Sequence, residues 1–280
     1  MTPASELPGP ALLFCPADRP DRYGKALAAA DGVILDLEDG VGASQKEAAR
    51  QALLATPLDP ARVIVRVNAT GTPEHAADLA AVERTRYRTI MLPKSETRAQ
   101  LDELRGDWRV VALCETAAGI VNAAEIAAAP NVIAVLWGAE DLIASLGGRS
   151  SRFPAGHDRG NQYRDVARHA RSAVLLAAAA RGRAAVDSVY VNIPDLDGLA
   201  AEAQDAAASG FALKACIHPT QVAVVRQAFQ PDEAQVAWAR RVLAAARDAG
   251  NGDRGAVKVD GQMIDAPLIR QAEAILASVR

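Results

Sequence analysis

Aromatic residues make up only 4% of this 280-residue chain, and its three cysteines, Cys15, Cys114 and Cys216, are scattered without any CxxC spacing. Isolated thiols in apolar runs argue for buried, reduced cysteines rather than disulfides or a zinc site, and hence for a cytosolic protein. A formal charge of −3 is too small and too evenly spread to imply a nucleic-acid or membrane partner. No apolar run is long enough to span a bilayer. The segment Met1 to Pro10 lacks the basic and apolar blocks of a signal peptide and reads as a loose lead-in. No G-x-G-x-x-G follows a strand-like run, which disfavours a dehydrogenase.

What the chain does have is alternation. Short β-branched runs are separated by alanine-rich stretches of helical period, and nearly every run ends in a polar residue. The runs are Ala11 to Phe14, Val33 to Leu37, Val63 to Val67, Thr89 to Leu92, Val110 to Cys114, Val132 to Trp137, Ser188 to Val191 and Ala212 to Ile217. Helices are expected near 20–30, 44–55, 73–84, 96–105, 119–129, 139–146, 162–182, 195–209 and 219–229. Eight β-α units in succession predict a (β/α)8 TIM barrel over 11–230, with functional groups at the C-terminal ends of the strands. Residues 231–280 exceed what eight units need. They read as a C-terminal helical extension and lid: a helix over 232–250, a turn and short extended piece over 253–260, and a closing helix over 266–279.

Two carboxylates stand out within this ladder. Glu115 ends one strand-like run, and Asp141 follows the next by way of Gly138-Ala139-Glu140, at a spacing of one strand, one helix and two short loops. Parallel neighbours bring both acids to one edge of the sheet, where two hard oxygen ligands can hold Mg²⁺ and leave positions open for substrate and water. The bland reading is that each acid caps the following helix or pairs with a base. For Asp36, Glu38 and Asp39 the rival is a structural salt-bridge cluster at Arg66. The Gly- and Arg-rich stretch Gly147 to Asn161 reads either as a flap at the active edge or as a plain surface loop.

Taken together, Leu13-Phe14-Cys15-Pro16-Ala17-Asp18-Arg19-Pro20, Leu35-Asp36-Leu37-Glu38-Asp39-Gly40, Val65-Arg66-Val67-Asn68, Leu92-Pro93-Lys94, Glu115-Thr116, Gly138-Ala139-Glu140-Asp141, Ile217-His218-Pro219 and Gly261-Gln262-Met263-Ile264-Asp265 make the chain resemble the citrate lyase beta-subunit family, of the HpcH/HpaI aldolase/citrate lyase superfamily. That family is similar to malyl-CoA and citramalyl-CoA lyases. The resemblance implies a barrel that uses Mg²⁺ to cleave or form a carbon–carbon bond between a 2-oxo acid, such as oxaloacetate, and an acyl thioester. It implies Glu115 and Asp141 as metal ligands and, with Glu140, as substrate contacts. Arg66 would bind the substrate carboxylate, and Phe14, Arg19, Lys25, Ile217 and His218 would contact the CoA portion. Glu38 would act beside the metal. Asp265 would be the general acid/base, delivered by a C-terminal lid to a neighbouring subunit, so a homo-oligomer, a trimer or a multiple of one, is expected.

Some residues carry structural readings as well. His218 before Pro219 suits a satisfied strand-end histidine, and Asp265 before Ala266-Pro267 suits an N-cap. Ala117-Ala118-Gly119 departs from the family pattern, in which an Arg often precedes the glycine. The functional alternatives are a malyl-CoA or citramalyl-CoA lyase, a Mg²⁺-dependent 2-oxo-acid aldolase with no use for CoA-binding cations, and a non-catalytic subunit of a larger complex containing an acyl-carrier protein or other lyase subunits.

Overall fold

The computed structural model describes residues 6–248 and 256–279, in two compact units that divide between Arg226 and Gln227. In the first unit eight parallel strands close into a barrel in chain order. They are β1 (Ala11–Pro16), β2 (Gly32–Asp36), β3 (Val63–Arg66), β4 (Thr89–Leu92), β5 (Arg109–Cys114), β6 (Val132–Trp137), β7 (Ala184–Asp187) and β8 (Leu213–Cys216), and β8 pairs back onto β1 through Leu12↔Ala215 and its neighbours. Both faces of these strands are covered, which is why they read as nearly unbroken Val, Ile and Leu runs. Leu12, Ile34, Ile64, Met91, Val111 and Val186 are among the side chains that fill the interior.

Seven of the eight strands lie on the runs expected from sequence. The seventh does not: β7 is Ala184–Asp187, and Ser188 to Val191 is the connection that follows it. Its Ala-Ala-Val-Asp composition carries little β signal, and burial on both faces makes it a strand where propensity does not.

The helices between the strands are α1 (Pro20–Ala29), α2 (Lys46–Ala55), α3 (Pro73–Glu83), α4 (Arg98–Asp102), α5 (Ala117–Val121), α6 (Ala123–Ala127), α7 (Ala139–Ser145), α8 (Asp165–Ala180) and α9 (Leu196–Ser209). The single helix expected near 119–129 is broken into α5 and α6 at Asn122, whose side-chain amide donates to the Glu96 carbonyl at 2.8 Å. Thr97 and Gln100 form a capping box at α4, and Gly210, at φ 108°, terminates α9. Helix α10 (Pro219–Ala228) follows β8. All three cysteines are buried and free. Among the described residues no helix is long and apolar enough to cross a membrane.

The second unit contains α11 (Glu233–Asp248), an antiparallel hairpin of β9 (Val257–Val259) and β10 (Gln262–Ile264), and α12 (Ala266–Ser278). Ala239, Val242, Val259, Ile264 and Ala272 form its small core. The hairpin turn is Asp260-Gly261, both at positive φ, the pair that a two-residue turn of this hand favours. A second strand over 262–264 was not expected from the sequence, and Asp253 of the expected turn lies outside the described residues. The first five residues of the expected lead-in likewise lie outside them.

Candidate active site

Side chains on a strand alternate, so a residue two positions beyond an inward-facing core residue also points along the barrel axis. Counting two past Leu12, Ile34, Ile64, Leu113, Leu136, Val186 and Ala215 gives Phe14, Asp36, Arg66, Glu115, Gly138, Ser188 and Ile217. Every one of these lines a single cavity of about 400 Å³ at the C-terminal ends of the strands, together with Asp39, Glu140 and Asp141.

Arg66 and Asp36 are register partners on β3 and β2. The guanidinium donates Nε and Nη2 to the two Asp36 oxygens at 2.7 and 2.6 Å, a planar bidentate pair. Asp36 also accepts the backbone N–H groups of Glu38 (2.9 Å) and Gly40 (2.8 Å), so it fixes both the arginine and the loop that follows β2. A Cβ on Gly40 would sit 2.3 Å from Asp36 Oδ2, so only glycine lets the loop fold over this carboxylate. The remaining terminal nitrogen of Arg66, Nη1, lies 2.9 Å from Glu38 Oε2, and Phe14 packs 5.0 Å beneath the guanidinium. The salt-bridge cluster that rivals a functional reading of Asp36 and Glu38 is therefore present, with Asp36 and Arg66 lining the cavity.

Glu115 follows Cys114, whose register partner is Trp137, so Gly138 lies beside it. A Cβ on Gly138 would come within 2.7 Å of the Glu115 Cβ; the glycine makes room for the acid. Asp141 enters from the first turn of α7. Glu115 is 3% exposed, and the described residues offer its carboxylate one donor, the Lys94 backbone N–H at 3.1 Å. Burial, then the charges of Asp141 and Glu38, push its pKa up to about 8. The described residues give the Asp141 carboxylate no hydrogen bond or ion pair. Two facing anions so poorly compensated can hold a cation, and their oxygen-only character suits Mg²⁺, which retains water and substrate ligands. Among the described residues no group of three or more His, Cys, Asp or Glu forms a closed metal cage.

The other expected site residues are placed less uniformly. Glu140 lines the cavity but is exposed and accepts a 2.6 Å bond from buried Ser151. Ile217 lines the cavity; His218 is exposed just past β8, with Nδ1 2.8 Å from Thr220 Oγ1, a partner that suits the satisfied strand-end histidine of the structural reading. Arg19 at the start of α1 makes a bidentate pair with Asp21 (3.0 and 2.9 Å), and Lys25 is exposed on α1. Asp265 occupies the N-cap position of α12 with Pro267 in the first turn, yet its side chain makes no capping hydrogen bond. The structural N-cap role is thus geometric only. The stretch Gly147 to Asn161 is pinned at its base: Arg152 pairs with Glu202 at 2.7 Å and lies over the rings of Tyr163 (3.7 Å) and Tyr190 (4.7 Å).

Ser188 and Lys94 were missed from sequence as site residues. The inward period Ala184, Val186, Ser188 would have found the first, had β7 been placed correctly.

A family model described as HpcH/HpaI aldolase/citrate lyase matches residues 11–219. A citrate lyase subunit beta-like protein of Mycobacterium tuberculosis is 57% identical over 268 residues, covering 96% of this chain and 94% of the relative. The crystal structure of protein CitE from the same organism, in complex with magnesium, acetoacetate and coenzyme A, superposes with a TM-score of 0.92 at 56% identity, covering 98% of each chain. A second, the citrate lyase beta subunit of that organism complexed with oxaloacetate and magnesium, does so with a TM-score of 0.77 at 58% identity, covering 81% of this chain and 99% of that one.

Proposed function

The chain belongs to the HpcH/HpaI aldolase/citrate lyase family, and on that premise we propose that it is a Mg²⁺-dependent carbon–carbon lyase that cleaves, or in reverse forms, a citryl-type acyl thioester. The products are a 2-oxo acid such as oxaloacetate and an acetyl thioester, with CoA as the thioester carrier; its solved relatives hold magnesium, oxaloacetate and coenzyme A. The observation that carries this reading is the buried, uncompensated Glu115 facing Asp141 at the strand ends.

Glu115 and Asp141 hold the metal, which when bound supplies a Lewis acid for the hydroxyl that becomes the keto oxygen. Arg66, held flat by Asp36 and stacked on Phe14, meets the substrate carboxylate and sets its direction. Glu140 lies at the substrate edge of the cavity, and Glu38 acts as the counter-ion of Arg66 beside the metal pair. Phe14 and Ile217 form an apolar wall for the thioester, and Arg19 and His218 on the loops leaving β1 and β8, with Lys25 on α1, meet the CoA portion.

Asp265 is the proton carrier. It takes the hydroxyl proton as the carbon–carbon bond breaks and returns one to the departing thioester enolate. Its carboxylate at the start of α12, which makes no capping hydrogen bond among the described residues, supports this role. We assign it in trans, from a neighbouring copy in a trimer or a multiple of one, and an acyl-carrier protein or other lyase subunits are the partners that would replace free CoA. Mixing Asp265→Asn chains with Asp141→Ala chains under subunit exchange should restore activity; an inactive mixture despite proven exchange defeats the shared site.

The test of the reaction itself is a panel of citryl-, citramalyl- and malyl-CoA assayed with Mg²⁺ and with EDTA. Cleavage of the citryl ester that stops in EDTA is expected. Cleavage of free 2-oxo-acid aldols in preference to every thioester would make the chain an aldolase instead.

A further inference from the structure

Three non-glycine residues among those described have positive φ: Lys94 at 50°, Asn161 at 62° and Asp260 at 50°. Asn and Asp tolerate this backbone because their short side chains bond locally, whereas a lysine gains nothing from it. At Lys94 the left-handed turn has two consequences in the site. It aims the backbone N–H at Glu115 Oε1, 3.1 Å away, and it sends the ammonium in the other direction, to Glu38 Oε1 and to Asp39 Oδ2 at 3.8 Å.

Glu38 is shared. Its other oxygen lies 2.9 Å from Arg66 Nη1, while Nε and Nη2 of Arg66 are committed to Asp36. Asp36 takes the Nε hydrogen and one Nη2 hydrogen, so an incoming substrate carboxylate meets Arg66 on its Nη1 side, where Glu38 stands. Glu38 is 4% exposed, and once displaced it would be a buried anion beside Glu115 unless a second cation held it. Lys94 is that cation.

Resting on the lyase reading, we propose that Lys94 is a positioning residue with two separable jobs: its backbone orients the metal-binding carboxylate Glu115, and its ammonium takes over Glu38 so that Arg66 is released to the substrate carboxylate.

The jobs separate by substitution. Lys94→Asn keeps a residue that accepts the left-handed backbone but cannot reach Glu38; Lys94→Val has a β-branched side chain that resists this backbone. Calorimetric titration of each folded variant with Mg²⁺, and then with oxaloacetate at saturating Mg²⁺, reads them without turnover. Lys94→Asn should keep its Mg²⁺ Kd within about threefold of wild type and weaken oxaloacetate by about tenfold or more. Lys94→Val should weaken Mg²⁺ itself by about tenfold, and Lys94→Arg should recover most of the oxaloacetate affinity lost in Lys94→Asn. Unchanged oxaloacetate affinity in Lys94→Asn overturns the ammonium role, and equal Mg²⁺ affinities in Lys94→Asn and Lys94→Val overturn the backbone role. A wild-type chain that binds no Mg²⁺ fails the lyase reading itself, an outcome distinct from either.

Discussion

Two of the places where the barrel buries charge are built in opposite ways. On the outer wall, Asp187 of β7 is fully buried and accepts from Lys214 Nζ (2.8 Å), Arg171 Nε (2.9 Å) and the Trp137 indole N–H (2.8 Å). Lys214, itself fully buried, also donates to the Ser188 carbonyl (2.7 Å) and to Glu202 (3.0 Å). Burial alone would raise the pKa of Asp187, but the charges of Lys214 and Arg171 hold it below the usual carboxylate range. Inside the cavity, Glu115 is buried almost as deeply and its pKa is pushed up to about 8. A buried charge with all its partners is scaffold; one that lacks them is waiting for a ligand.

The sharpest way to break this contrast is to remove one acid from each cluster. Asp187→Ala strands Lys214 and Arg171 and should lower the unfolding free energy by about 3–5 kcal/mol, the usual cost of breaking a buried pair. Asp141→Ala relieves repulsion and should leave stability in the absence of metal unchanged or slightly higher. Denaturant titration of the two metal-free variants decides; equal losses would mean the cavity acids are scaffold too.

Arg66 lies between the two kinds, since it is both paired and offered to substrate. Arg66→Ala should weaken oxo-acid binding by roughly 2–5 kcal/mol, the cost of stripping one partner from a desolvated charge pair. Oxaloacetate affinity unchanged in this variant would leave Arg66 as a structural partner of Asp36 alone.

How much of this contrast was legible in the sequence depends on the element. The barrel was, because a strand buried on both faces shows as a β-branched run, and seven such runs were placed. Glu115 and Asp141 were also visible, as acids following consecutive runs. The seventh strand was hidden by its alanines, and with it Ser188 and the scaffold role of Asp187. Lys94 was hidden for a different reason: nothing in Leu92-Pro93-Lys94 signals a left-handed backbone, which is imposed by the surrounding fold. The pairing of Arg66 with Asp36 was foreseen only as a rival reading, because a sequence does not say whether an arginine faces a strand neighbour or the cavity; here Nε and Nη2 face the strand neighbour, and Nη1 lies beside Glu38.

pH sharpens the comparison further. The folded-state pKa of Glu115 lies above its unfolded value, so its contribution to stability is fully present below about pH 4.5 and is lost as pH rises toward 8. Glu115→Gln should therefore stabilise the metal-free protein by roughly 1–3 kcal/mol at pH 8 and hardly at all at pH 4.5. Thermal melts in EDTA at the two pH values check it; a gain independent of pH would show that the carboxylate is not held in this raised state.

The smallest effect is expected where the loop after α7 meets the Asp187 cluster through Arg152 and Glu202. Arg152→Lys keeps the charge but loses the flat contact with Tyr163 and Tyr190, and should cost about 1–2 kcal/mol of stability. A loss no larger than that of an exposed Arg→Lys control would remove the loop from the scaffold.

The central claim is that Glu115 and Asp141 are left uncompensated in order to hold the metal on which thioester cleavage depends. Its most direct test is calorimetric Mg²⁺ titration of the wild-type and Asp141→Ala proteins, with folding of both verified by circular dichroism. One Mg²⁺ per chain is expected in the wild type and none in the folded variant; equal affinity in the two proteins would mean that these acids do not hold the metal.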